Sequence, residues 1–166
     1  MAIAVVALGS NVGNALQHLQ SANRALGTLL SDLRSSSVYR TAPMYVTNQP
    51  DFLNAVVLGE SHLGPLPLLQ QLKGLEQELG RHVRKRYGPR EIDLDLIAYG
   101  SVLYRLEGRL EVPHPRVAER RFVLAPLAEL DPERYLPGIG RVASLLKSTI
   151  GEPADVVRLT DAVLSI

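Results

Sequence analysis

Two aspartates in the second half of the chain have the spacing of paired carboxylate ligands. The segment Arg90-Glu-Ile-Asp93-Leu-Asp95-Leu alternates acidic and apolar residues. Because side chains alternate between the faces of a strand, Asp93 and Asp95 are predicted to share one face, with the apolar residues on the other. Two adjacent carboxylates repel each other, and oxygen ligands of this kind suit Mg²⁺ shared with substrate phosphates. A solvated strand face, or a carboxylate pair neutralised by nearby arginines, explains the same pattern, and these interpretations stay open.

A basic segment directly precedes this pair. Residues 81–90 carry five Lys or Arg and no acidic residue, in a chain whose formal net charge is +1. Arginine can fork two phosphate oxygens and stabilise the charge of a transferring phosphoryl group, so a polyphosphate between the basic segment and the aspartates is one hypothesis. A solvent-exposed loop and a nucleic-acid surface are the alternatives. Against the nucleic-acid surface, Tyr87 is the one aromatic residue in this segment that could stack on a base.

Two further segments have weaker chemical signals. His114 lies between Pro113 and Pro115, which predicts a loop where its ring can donate to a phosphate, although a turn histidine without a role fits equally. Residues 10–14, which follow a predicted strand, predict a tight turn that caps the first helix. The chain contains no Gly-x4-Gly-Lys-Ser/Thr phosphate loop, so any bound ATP must be held by other means.

The elements that must position these residues follow from hydrophobic periodicity and breakers. With 166 residues and 46% hydrophobic content, one domain over 1–166 is expected. Their mixed order predicts an α+β fold with a mixed or antiparallel sheet. The predicted helices span 15–30, 65–79 and 118–130, and the predicted strands span 2–8, 34–40, 52–60, 92–99, 109–112 and 156–159, with a long loop over 41–50.

Composition excludes several classes of function. The chain has no cysteine, which removes disulfides, thiolate metal sites and cysteine nucleophiles. The N-terminal apolar run has no positive residue before it and stops at Gly9, so we expect a buried strand there rather than a signal peptide. No stretch reaches the roughly 20 apolar residues of a membrane span. We therefore expect a soluble protein of the cytoplasm.

Four ordered blocks resemble the 6-hydroxymethyl-7,8-dihydropterin pyrophosphokinase family. The likeness extends from Ala7 to Leu127 and so covers most of the chain. Four signatures in family order are far more specific than any one of them. The blocks are Tyr39-Arg-Thr41-Ala-Pro43, Gln49-Pro50-Asp-Phe52-Leu-Asn54, Arg86-Tyr87-Gly88-Pro89-Arg90-Glu-Ile-Asp93-Leu-Asp95, and Pro113-His114-Pro115-Arg116 followed by Arg120-Arg121-Phe122.

The resemblance implies a function and a fold. It implies an enzyme of folate biosynthesis that transfers the diphosphate of ATP to the hydroxymethyl group of 6-hydroxymethyl-7,8-dihydropterin and releases AMP. ATP is then the co-substrate and two Mg²⁺ ions are expected. The implied fold is a ferredoxin-like α/β sandwich. We expect a monomer without a nucleic-acid or membrane partner. Because the chain ends soon after the last block, we expect no second folate enzyme fused to it.

The resemblance also implies roles for individual residues. Asp93 and Asp95 would hold the two ions, and together with Arg81 and Arg90 they would form the catalytic group. The residues expected to bind ATP are Glu76, Arg81, Arg86, Arg90, Arg109, His114 and Arg120. The residues expected to bind the pterin are Thr41, Met44, Phe52, Asn54, Tyr87 and Phe122.

Two rival functions remain compatible with the residues. One is a catalytically silent binding module on the same fold. The other is a small RNA-binding domain that uses the basic region between Arg81 and Arg121, where ten of the 18 Lys and Arg residues lie. Product analysis separates the enzyme from the first rival, and the salt dependence of oligonucleotide binding separates it from the second.

Overall fold

Helices and strands alternate in a mixed order along the computed structural model, which describes residues 1–43, 48–80, 91–149 and 155–164. The helices are α1 (Ala15–Leu26), α2 (Pro65–Glu78), α3 (Arg121–Leu130) and α4 (Val142–Ser148). The strands are β1 (Ala2–Ser10), β2 (Leu30–Ser35), β3 (Tyr39–Thr41), β4 (Phe52–Ser61), β5 (Asp93–Tyr99), β6 (Tyr104–Leu106), β7 (Leu110–Val112), β8 (Tyr135–Leu136), β9 (Gly140–Arg141) and β10 (Val156–Arg158).

The main sheet is antiparallel throughout. Its order is β10-β3-β4-β1-β5, and β2 pairs with β4 beyond the end of β3. The long strand β1 lies between β4 and β5, and helices α1 and α2 each connect strands that are not neighbours. This arrangement confirms the predicted α+β, ferredoxin-like sandwich.

The two faces of this sheet pack against different helices. On one face, Val6, Val57 and Leu94 lie in a buried cluster with Leu19 of α1 and Leu72 of α2. On the other face, a second buried cluster joins the sheet to α3 and α4. Its members include Val5, Val56, Leu58, Ile97, Val123, Leu124, Leu127 and Val142. We call these the α1/α2 face and the α3/α4 face.

Two predicted elements differ from the observed ones near the first helix. Helix α1 ends at Leu26 rather than at 30, and Leu30 instead begins β2, where it pairs with Ser61 and is buried. The predicted strand 34–40 is two strands, because Ser36 interrupts the ladder: its amide donates to the Val56 carbonyl (2.9 Å) and its hydroxyl accepts from the Val56 amide (2.9 Å). Leu30 continues the helical spacing of the leucines in α1, but in the structure it is buried as part of the sheet.

The other predicted elements agree with the structure within a few residues. The Asn14 side chain accepts from the Gln17 amide (3.1 Å), which confirms the predicted cap of α1. A 3-10 turn over Val117–Glu119 precedes α3 in place of one continuous helix. The sequence missed β6, the small β8/β9 hairpin and α4, all of which are short. Within the described ranges, the helices fall short of the length and apolar character needed to cross a bilayer.

Candidate active site

Strand register gathers the predicted polar residues on one face of the sheet. In β1, Gly9 pairs with Asn54 on one side and with Asp93 on the other, and Ala7 pairs with Val56 and Asp95. Cross-strand partners point to the same side of a sheet. These residues therefore share the α3/α4 face, and Asn54 and the two aspartates occupy the end of it beyond the buried cluster.

Gly9 forms the floor between the amide and the carboxylates. A Cβ atom at this position would lie 3.1 Å from Asn54 Oδ1 and 3.8 Å from the Phe52 ring. The contact with Asn54 is closer than most real Cβ contacts, so a side chain here would press on the amide. The glycine leaves space above β1 at the centre of the site.

A buried amide and hydroxyl lie on the β4 side of this floor. The Asn54 amide nitrogen donates to Thr41 Oγ1 at 2.6 Å, and both residues are buried. Thr41 also pairs with Phe52 across β3 and β4. With Nδ2 directed to Thr41, Oδ1 of the Asn54 amide lies toward Gly9, where it is an acceptor. This cluster can recognise the hydrogen-bonding edge of a flat heterocycle.

The carboxylate pair lies on the β5 side of Gly9. Two side chains of helix α2 bind the backbone of Leu94, the residue between the two aspartates. Glu76 Oε1 accepts from the Leu94 amide at 2.6 Å, and Lys73 Nζ donates to the Leu94 carbonyl at 2.8 Å. Lys73 Nζ also lies 3.0 Å from Glu76 Oε1 and 3.5 Å from Asp95 Oδ1. Burial and the neighbouring Asp93 carboxylate raise the pKa of Asp95 to about 7. Such a pair favours a bound cation.

His114 faces the same region from the segment after β7. Its backbone amide donates to the Ile97 carbonyl (2.7 Å), and its ring Nδ1 accepts from the Arg116 amide (3.1 Å). Burial, followed by the positive charges of Arg120 and Arg116, lowers the pKa of His114 to about 4. The neutral ring therefore carries its proton on Nε2, where it is a hydrogen-bond donor.

A cleft of about 360 Å³ opens beside Asp95 and His114. Lys73, Asp95, His114 and Arg109 contribute charged and polar atoms to its wall. Leucines and a proline supply an apolar part, as expected for a slot that accepts a flat base with its phosphates directed to the cations. The remaining lining residues are Leu69, Leu96, Arg105, Leu106, Glu107, Gly108, Leu110, Glu111 and Pro115.

Comparison with known proteins identifies the family of this site. The model of the 7,8-dihydro-6-hydroxymethylpterin-pyrophosphokinase (HPPK) family matches residues 5–132. The chain belongs to the HPPK family. That span includes both carboxylates, the Thr41/Asn54 cluster and His114.

Relatives of two kinds share this similarity. A 2-amino-4-hydroxy-6-hydroxymethyldihydropteridine pyrophosphokinase of Haemophilus influenzae is 37% identical over 149 residues, which cover 89% of this chain and 92% of the relative. A mitochondrial folate synthesis bifunctional protein of Arabidopsis thaliana is 46% identical over 129 residues, which cover 76% of this chain and 23% of the relative. The chain thus spans about a quarter of the plant protein's length.

A solved structure shares the fold. An HPPK-DHPS of Plasmodium falciparum matches with a TM-score of 0.75 at 16% identity, over 95% of this chain and 48% of that chain. At this identity the likeness concerns the fold alone.

The HPPK fold brings most of the described candidates together. Asp93, Asp95 and Asn54 share the α3/α4 face, and Arg109 and His114 share the cleft with Asp95. Glu76 is buried and contacts Leu94 and Lys73. Arg120 and Phe122 lie together where α3 begins, with the guanidinium carbon 5.8 Å from the ring centroid. Five candidates lie outside the described residues: Met44, Arg81, Arg86, Tyr87 and Arg90.

Two residues of the site were missed from the sequence. Lys73 has a sequence signal, since it precedes Glu76 by three residues on a predicted helix and so shares its face. The role of Gly9 depends on strand register, which pairs it with Asn54 and Asp93. In the sequence alone, a glycine after an apolar run is as typical of the end of a strand as of a binding site.

Proposed function

We propose that this chain transfers the diphosphate group of ATP to the hydroxymethyl group of 6-hydroxymethyl-7,8-dihydropterin and releases AMP. One observation carries the proposal. A buried amide and hydroxyl, suited to a heterocycle, share a sheet face with two carboxylates suited to a divalent ion. Gly9 of β1 pairs with Asn54 on one side and with Asp93 on the other, so it is the one residue between the two groups. Family membership and the name of the Haemophilus relative support the same reaction.

The pterin is proposed to lie over Gly9. Asn54 Oδ1 can accept a hydrogen bond from the ring edge, and the Thr41 hydroxyl can donate one because its oxygen already accepts from Asn54. Phe52 and Phe122 supply aromatic surface for the ring. Met44 and Tyr87 complete the pocket by family resemblance.

Asp93 and Asp95 are proposed to hold Mg²⁺, and two ions remain the expectation. The shared orientation of the two carboxylates and the raised pKa of Asp95 fit a divalent cation. Across the described ranges, His, Cys, Asp and Glu side chains form no cluster of three or more that could hold a metal. Phosphate oxygens and water would therefore supply the other ligands. Bound there, Mg²⁺ would neutralise phosphate charge and polarise the reacting phosphoryl group.

The nucleotide is proposed to occupy the cleft beside Asp95. Arg109 can pair with phosphate oxygens, and His114 can donate from Nε2 without carrying a charge. Arg120 approaches from the start of α3. Glu76 supports the nucleotide site through its Oε1 atom, which accepts from the Leu94 amide and from Lys73. By resemblance, Arg81, Arg86 and Arg90 bind phosphates from the basic segment.

The reaction needs positioning and charge neutralisation more than covalent chemistry. The hydroxymethyl oxygen attacks the β-phosphorus of ATP, the bond from that phosphorus to the α,β-bridging oxygen breaks, and the hydroxyl proton passes to solvent. The two halves of the site lie on β4 and β5, on either side of β1, so they can hold the two substrates in contact across Gly9.

Product analysis tests this proposal. The protein is incubated with ATP, MgCl₂ and 6-hydroxymethyl-7,8-dihydropterin, and the nucleotides are separated by ion-exchange chromatography. We expect AMP and the pterin diphosphate in equal amounts. Release of ADP without AMP would show transfer of a single phosphate, and binding of both substrates without product would favour a silent binding module.

We also propose a cytoplasmic monomer without nucleic-acid or membrane partners. The Arabidopsis relative is named as mitochondrial, so the compartment is a proposal for this chain. Binding to unrelated oligonucleotides that weakens steeply with salt would instead support the RNA-binding rival.

A further inference from the structure

Lys73 is placed where the metal half and the nucleotide half of the site meet. It lies on α2, and its side chain is 42% exposed. Its ammonium contacts Glu76 and the Leu94 carbonyl on one side, and its side chain lines the cleft with His114 and Arg109 on the other. No candidate role was assigned to it from the sequence.

The contacts of Lys73 hold its charge close to Asp95. Two anchors fix the ammonium, at 3.0 Å to Glu76 Oε1 and 2.8 Å to the Leu94 oxygen, and Asp95 Oδ1 lies 3.5 Å away. Because Glu76 and the Leu94 carbonyl belong to the scaffold, these anchors persist whether or not a ligand occupies the site.

The charge of Lys73 is itself stabilised by its surroundings. Burial lowers the pKa of Lys73, but the carboxylates of Asp95, Asp93 and Glu76 outweigh burial and raise it above the ordinary value. A lysine side chain is already a cation at neutral pH, and its bonds to Glu76 and the Leu94 carbonyl keep that charge in place.

We propose that Lys73 makes divalent-ion binding depend on the nucleotide. Without phosphates, its ammonium repels a divalent ion at Asp95 and keeps the ion weakly bound. With a triphosphate in the cleft, the same ammonium attracts the phosphates and strengthens nucleotide binding. This inference rests on the proposed function, since it needs both a divalent ion at Asp95 and phosphates in the cleft.

The size of the effect follows from Coulomb's law. A divalent ion bound to Asp95 would lie within roughly 6 Å of the ammonium, and even in a water-like dielectric their repulsion changes a dissociation constant about tenfold. The attraction to phosphates at a similar distance has a similar size and the opposite sign.

Removing the charge while keeping a hydrogen-bond donor tests the inference. Lys73→Gln can still donate to the Leu94 carbonyl, and Lys73→Arg keeps the charge. Lys147→Gln, on the exposed surface of α4, is a matched control for loss of one lysine. MnCl₂ binding to the nucleotide-free protein is measured by electron paramagnetic resonance, and binding of a non-hydrolysable ATP analogue with MgCl₂ is measured by calorimetry.

We expect opposite changes in the two affinities. Lys73→Gln should bind Mn²⁺ alone about tenfold more tightly and the ATP analogue about tenfold more weakly. Lys73→Arg and Lys147→Gln should stay within about threefold of the wild type in both. A purely structural role for Lys73 would weaken both ligands in Lys73→Gln.

Weakening of both ligands, or no change in either, would overturn the inference while leaving the proposed function intact. If the wild-type protein bound neither Mn²⁺ nor the analogue, the proposed function would fail and the inference with it. Urea unfolding of each variant shows whether the fold is retained. Should Lys73→Gln fail to fold, Lys73→Met is measured in its place with the same expected signs.

Discussion

The two faces of the central sheet are built from alternate residues of the same strands, yet they differ in how far they are covered by packed side chains. On the α1/α2 face, side chains such as Val6, Val57 and Leu94 are buried against two helices. On the α3/α4 face, Val56 and Ile97 are buried in the same way, but the next residues of their strands on that face, Asn54 and Asp95, are polar. One face is packed along its length, and the other is packed at one end and carries the proposed site at the other.

This difference shows how one strand can combine stability with chemistry. In β5, Leu94 is fully buried on one face, while Asp93 and Asp95 on either side remain partly exposed on the other. The packed residue keeps the strand in place, and its backbone is held by Glu76 and Lys73. The aspartates can then repel each other without displacing the strand.

Asp95→Ala should abolish function with little effect on the fold. Loss of one of the two proposed metal ligands should reduce turnover by several orders of magnitude. The free energy of unfolding should stay the same or rise, since removal of one carboxylate relieves its repulsion with Asp93. Turnover is measured as AMP release, and stability by urea unfolding. Near-normal turnover would exclude the metal role of Asp95.

Leu94→Ala, one residue away on the opposite face, should have the converse effect. Truncating a fully buried leucine should lower the free energy of unfolding by about 3 kcal/mol. Because the backbone contacts of residue 94 do not need its side chain, turnover of the folded fraction should fall by less than about tenfold. A loss of turnover as large as that of Asp95→Ala, in protein shown to be folded, would contradict the separation of the two faces.

Gly9→Ala should weaken pterin binding. The new methyl group would lie 3.1 Å from Asn54 Oδ1, so we expect the KM for the pterin to rise about tenfold while the KM for ATP changes little. Gly74→Ala is the control, because a Cβ atom there meets nothing within 4 Å. As an alanine in a helix, it should raise the free energy of unfolding by about 0.5–1 kcal/mol and leave both KM values unchanged. An unaltered pterin KM in Gly9→Ala would place the pterin elsewhere.

His114 should take up a proton in the folded protein only at acidic pH. Burial, Arg120, Arg116 and Lys73 lower its pKa to about 4, and Asp93 opposes them. Below about pH 6.5 the unfolded chain takes up a proton that the folded chain does not, so folding should lose stability as the pH falls from 6.5 to 4.

The measurement compares the wild type with His114→Asn. The wild type should lose about 1–2 kcal/mol more than the variant between pH 7 and 4 in urea unfolding, allowing for screening by solvent. The ring proton shifts of His114 should titrate with a midpoint near pH 4 in the folded protein. A midpoint near 6.5 would mean that the cleft does not bury the ring.

Much of the architecture could be predicted from short-range patterns. The alternation around Asp93 and Asp95 is a local property of a strand, and the structure confirms that Leu94 points away from them. The caps and breakers of α1 and α2 are equally local. The predicted end of α1 was wrong because Leu30, which fits the helical spacing, is buried in a strand instead. The predicted strand 34–40 was wrong because the hydrogen bonds of Ser36 divide it into two.

The pairing of elements that are distant in sequence could not be predicted in this way. Asn54 and Asp93 are 39 positions apart in the sequence, and each becomes a neighbour of Gly9 through the register of β1 with β4 and β5. Lys73 reaches Asp95 because α2 packs along the edge of β5. Such contacts depend on the packing of whole elements.

The sequence by itself determined the kinds of chemistry available, because residue types and their alternation along a strand are local. It specified paired carboxylates, nearby cations, a histidine between prolines and a chain without thiols, and its motifs indicated the family. Only the tertiary structure decided that the amide of Asn54 and the carboxylates share one face across a glycine, and that a fixed ammonium lies beside them. Strand register and helix packing act between distant segments, and they turned separate motifs into one site.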